Sequence, residues 1–97
     1  MNIQAMMAQA RKMQKDIEKT TMEIENSTYF FENENIYVEA TGNNKIKQIK
    51  IKNEDILEDK EILEDIVVVA VNDVLNQILK TKESKLGKYT EGLGGLF

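Results

Sequence analysis

The side chains that could do chemistry in this 97-residue chain are cations in two short runs. Arg11, Lys15 and Lys19 fall at i, i+4 and i+8, one face of a helix, with Lys12 beside them. Lys80, Lys82, Lys85 and Lys88 form the second run. Such runs can neutralise the phosphates of a polyanion. Taken alone they are more often solvated helix faces, with partners such as Asp16 and Glu83. Catalysis has less to work with. The chain has no His and no Cys, hence no imidazole base, no thiol nucleophile and no zinc constellation. Glu54, Asp55, Glu58, Asp59, Glu61, Glu64 and Asp65 stand where the start of a helix favours anions, and they lack the central Gly of a calcium loop. Gly92, Gly94 and Gly95 follow no strand and precede no helix, so they do not read as a phosphate cradle. The residues point away from an enzyme and call for no cofactor, no metal and no small-molecule substrate.

Two helices must carry the cations. Residues 2–25 read as a first helix without Gly or Pro, in which Ile3, Met6, Ala10, Met13, Ile17, Thr20 and Ile24 alternate steps of three and four. That narrow stripe suits a helix lying against another helix, and its methionines read as adaptable packing surface. The last helix has Asp59 as N-cap, an apolar stripe through Leu63, Ile66, Val67, Ala70, Val74 and Ile78, lysines towards its end and Gly87 as a stop. Between Ile66 and Val71 apolar residues spill all round the axis, which predicts burial between a sheet and a second helix.

Three strands lie between the helices. Residues 28–33 (TYFFEN) are rich in aromatics. Ile36, Val38 and Ala40 alternate with Tyr37, Glu39 and Thr41, giving one buried and one wet face. Gly42-Asn43-Asn44 turns the chain into a third strand in which Ile49 and Ile51 alternate with Gln48, Lys50 and Lys52, while Ile46 is out of phase and marks a bulge or twist. An acidic connection with one helical turn around residues 55–57 follows. The expected fold is α+β: helix, three-stranded antiparallel meander, long helix. Residues 1–88 form one domain and 89–97 a flexible tail.

Net charge is −4, from 13 basic and 17 acidic groups, yet the signs are segregated. Residues 45–52 hold four lysines, 53–73 eight acids and one lysine, and 80–88 four lysines and one acid. Such blocks make local fields that a total hides. No stretch approaches the roughly 20 apolar residues of a membrane span, and without Cys a reducing, cytoplasmic location is expected.

Lengths add a further expectation. A three-stranded sheet is about 15 Å wide, while helices of 24 and nearly 30 residues span about 36 and 45 Å. Both helices overhang, the overhangs hold the cations, and a small sheet with free edges invites a second copy.

Residues 59–76, DKEILEDIVVVAVNDVLN, resemble the hallmark stretch of the YbaB/EbfC family of bacterial nucleoid-associated DNA-binding proteins. The shared elements are Asp-Lys-Glu at 59–61, Leu-Glu-Asp at 63–65 and Ala-x-Asn-Asp at 70–73. Met6, Ala10 and the run ARKMQK at 10–15 are similar to the family's opening, Gly42 to its second-strand closure and GLGGLF to its Gly-rich ending. Where the family commonly has a Gly-rich turn, this chain has Glu32-Asn33-Glu34-Asn35. The resemblance implies a homodimer with associated sheets and helices projecting like tweezers, which binds double-stranded DNA in the nucleoid without catalysis. Arg11, Lys12, Lys15, Lys19, Lys80, Lys82, Lys85 and Lys88 would then meet DNA, with Gln9 and Gln14 as candidates for base edges. The order helix, hairpins, helix also fits a prefoldin-like chaperone or protein-interaction module, but those coiled coils are longer than a 24-residue helix allows.

Overall fold

The computed structural model describes residues 2–94. Its elements are α1 (Ile3–Asn26), β1 (Thr28–Glu32), β2 (Ile36–Thr41), β3 (Lys45–Ile51), a 3-10 turn (Glu54–Glu58) and α2 (Lys60–Gly94). The expected α+β order is what the chain adopts. Local chemistry sets most boundaries. The Asn2 side chain accepts from the Gln4 amide at 2.9 Å to open α1, and Asp59 Oδ1 accepts from the Ile62 amide at 3.2 Å to open α2. Between β1 and β2 no glycine is needed. Asn33 Oδ1 accepts from the amides of Asn35 and Ile36 at 2.9 and 3.0 Å and folds the turn by itself.

The sheet is an antiparallel meander in the order β1-β2-β3. Its register shifts between Glu39 and Ala40, pairing Ala40 with Ile46 and Val38 with Ile49, so the out-of-phase Ile46 marks a bulge. Ile36, Val38 and Ala40 of β2 face inward and are fully buried, and they pack with Ala70, Val74 and Ile78 of α2. This is the centre of a small core. In the second turn Asn44 takes the positive φ, at 64°. Gly42 serves close approach instead: a Cβ there would overlap the Ile24 carbonyl at the end of α1.

The contact at Gly42 aims α1. The Ile24 carbonyl also accepts from the Tyr29 hydroxyl at 3.4 Å, and the Gly42 amide donates to Ser27 O at 3.2 Å. From this anchor α1 runs away from the sheet along the far half of α2. Tyr89 shares a hollow with Gln9, Lys12, Met13 and Asp16, so the two helices are antiparallel. The molecule measures 69 × 23 × 15 Å with a radius of gyration of 19.5 Å; a compact chain of this length would have about 13 Å. A base, made of the sheet and the first half of α2, thus carries an arm made of α1 and the second half of α2.

Two expectations need correction, and the pairing of the α1 stripe with another helix holds in part. The Ile66–Val71 segment is not enclosed by a sheet and a second helix, because α1 lies further along; Val68 and Val69 are 58% and 64% exposed. The α1 stripe is covered only in part: Met13, Ile17 and Thr20 are half-buried and Ile24 is buried, whereas Ile3, Met6 and Ala10 are exposed. Gly87 does not stop α2, which continues to Gly94. No glycine among the described residues has positive φ, so the left-handed stop is not made at Gly87, and half-buried Leu86 and Tyr89 hold the turn on either side. The tail expected over 89–97 is therefore helical as far as Gly94, and residues 95–97 lie outside the described residues.

Candidate nucleic-acid interface

The arm gathers the cations that the sequence singled out. With Tyr89 beside Met13 and Ile24 at the sheet, Lys80, Lys82, Lys85 and Lys88 run alongside Arg11, Lys12, Lys15 and Lys19 in the opposite sense. Arg11, Lys12, Lys15, Lys19, Lys80, Lys85 and Lys88 are exposed, and Lys82 is half-buried against the seam. Among the described residues the one ion pair is Lys52 with Glu32, at 3.0 Å in the sheet. The expected partners Asp16 and Glu83 therefore do not hold the arm lysines within ion-pair distance. Lys88 Nζ lies 5.0 Å from the centre of the Tyr89 ring, a cation–π contact that leaves the ammonium open to an anion.

The segregation of charge along the sequence becomes segregation in space. Residues 9–20 and 80–90 contribute eight basic groups against three acids, Asp16, Glu18 and Glu83. The acids around Glu61 sit at the opposite end of α2. From position 61 to position 85 the helix rises about 36 Å, several times the roughly 8 Å over which salt screens at physiological strength. A phosphate at the arm meets a basic field, although the chain as a whole is acidic.

The shape complements this charge. A slender pair of helices can lie along or reach into a groove of a duplex, and phosphate contacts need only exposed ammonium and guanidinium groups. Gln9 is exposed and borders the hollow at Tyr89, and Gln14 is exposed. Tyr89 was not singled out from the sequence, where it stands one residue past the last lysine; only the antiparallel pairing puts it among the cations. Among the described residues no group of three or more carboxylates is placed to hold a metal ion, and no helix is long and apolar enough to cross a membrane.

Comparison with known proteins points to DNA binding. The profile of the YbaB/EbfC DNA-binding family matches residues 1–93. A nucleoid-associated protein of Lactococcus lactis subsp. cremoris strain MG1363 is 44% identical over 97 residues, covering 96% of this chain and 97% of its own. One of Enterococcus faecalis strain V583 is 42% identical, covering 97% and 93%. One of Ruminiclostridium cellulolyticum strain H10 is 41% identical, covering 98% and 85%.

Proposed function

The chain belongs to the YbaB/EbfC DNA-binding family, and we propose that it acts as a homodimer that holds duplex DNA in the nucleoid between its basic arms, without catalysing a reaction. The observation that carries this reading is the arm itself: eight cations on two antiparallel helices, none in an ion pair with a carboxylate among the described residues. Arg11, Lys12, Lys15, Lys19, Lys80, Lys82, Lys85 and Lys88 contact phosphates, and Gln9 and Gln14 reach towards base edges.

Exposed surface supports the second copy. The chain exposes 7405 Å², about 1,700 Å² more than a compact monomer of its mass, whereas a standard interface takes about 800 Å² from each partner. Part of the apolar surface lies on α1, at Ile3, Met6, Met7 and Met22, and the rest lies nearer the base. One flank of α2 faces β1, where Gln77 donates to Phe30 O at 2.9 Å. The other flank carries Val68 and Leu79 towards the inner face of β3, where Ile46 and Ile49 remain 38% and 44% exposed. A twin subunit seated there completes the core and leaves both arms projecting.

The test is a DNA titration at several salt concentrations. Log K should fall by roughly 0.9 per log unit of salt for each phosphate neutralised. Lys15→Glu combined with Lys85→Glu should abolish retardation of duplex DNA in a gel while sedimentation still reports the dimer. Unchanged retardation would reject the assignment.

A further inference from the structure

The outer face of the sheet plays no part in the reading above. Strand alternation turns Thr28, Phe30 and Glu32 of β1, and Tyr37, Glu39 and Thr41 of β2, to the side opposite the core. Phe30 is 56% exposed there. Its ring is stacked on Tyr37, with centroids 6.0 Å apart and planes at 27°. On β3, Lys50 stands across from Tyr37 and Gln48 across from Glu39. Glu32, Tyr37, Gln48, Lys50 and Lys52 line an open hollow of about 300 Å³. Both nearby carboxylates are engaged: Glu32 pairs with Lys52 at 3.0 Å, and Glu39 accepts from the Tyr37 hydroxyl at 2.6 Å. Lys50 has no such partner among the described residues.

We propose that this face binds single-stranded nucleic acid, with an unpaired base stacked on Phe30 and the backbone phosphate held by Lys50. The chemistry of each neighbour fits that ligand. An aromatic face on a sheet accepts any base that has left its duplex stack, and a base inside a duplex cannot reach it. Lys50 lies two strands from Phe30, about 10 Å across the sheet and beside Tyr37, within reach of a backbone that runs on from such a base. The Gln48 amide offers a donor and an acceptor to the base edge. A second copy of the chain fits less well, because apart from Tyr37 the residues around Phe30 on this face are Thr, Glu, Gln and Lys rather than a continuous apolar surface.

Fluorescence anisotropy with a labelled oligothymidylate, which forms no duplex, tests the proposal on the full chain. Phe30→Ala should weaken binding by about tenfold, and Phe30→Leu, which keeps an apolar side chain but removes the π-face, should weaken it similarly. Lys50→Glu should weaken it and flatten its salt dependence. The three variants should retain duplex retardation, and the Lys15→Glu, Lys85→Glu double variant should retain oligothymidylate binding, so this result and the arm result stand or fall separately. Wild-type binding by both Phe30 variants, or no binding by the unaltered protein, would overturn the proposal. So would loss of oligothymidylate binding in the arm variant, which would return the strand to the arm. Dissociation of the dimer by Phe30→Ala would also overturn it, assigning the ring to a protein interface.

Discussion

The base and the arm use the same helix for opposite ends. In the base, α2 buries Ala70 and Val74 against β2, and every large residue of β2's inner face is removed from water. In the arm, α2 packs against α1, the seam is half-buried, and seven of the eight arm cations are exposed. Stability is therefore concentrated away from the arm's cations, and those cations lie where little burial depends on them. That division lets the arm carry a dense set of like charges, whose mutual repulsion acts on a pair of helices rather than on the core.

Three substitutions sharpen the contrast, measured by denaturant melts at one fixed protein concentration because the stability of the proposed dimer depends on it. Ile36→Ala, in the base, should cost about 3 kcal/mol through the cavity it leaves, and DNA binding should fail only as the protein unfolds. A cost near zero would break the claim that β2 is the centre of the core. Gly42→Ala, at the joint, should cost about 2 kcal/mol, because backbone on one side or the other must shift. Its signature is faster amide hydrogen exchange in α1 with β2 still protected; equal loss of protection in both would show that base and arm are not separable. Gly87→Ala, in the arm, should have the opposite sign. A Cβ there meets nothing within 4 Å, so the substitution should stabilise α2 by about 0.8 kcal/mol and leave duplex binding intact.

Much of the fold was legible because each element is punctuated by its own residues. Asn2 and Asp59 cap their helices with side-chain oxygens, the Ile36-Val38-Ala40 alternation identifies the buried face of β2, and Ile46 announces the bulge by falling out of phase. The cations of the arm were legible for the same reason, since i, i+4 spacing places them on helix faces whatever the helices touch. Gly87 misled because a glycine permits a left-handed stop without requiring one. The apolar girdle around Val68 and Val69 reads as a surface in want of cover by a second helix, but α1 lies further along and leaves both residues exposed.

What the sequence determined by itself is the set of elements, the order of the strands and the clustering of charge, because these rest on neighbours within a few positions. The direction of α1, and with it the arm, was decided in three dimensions, at the contact where Gly42 admits the Ile24 carbonyl. The same contact leaves one flank of α2 and the inner face of β3 open, and brings Tyr89 beside Met13. Periodicity fixes the side of a helix that seeks cover; only packing between distant segments determines what covers it.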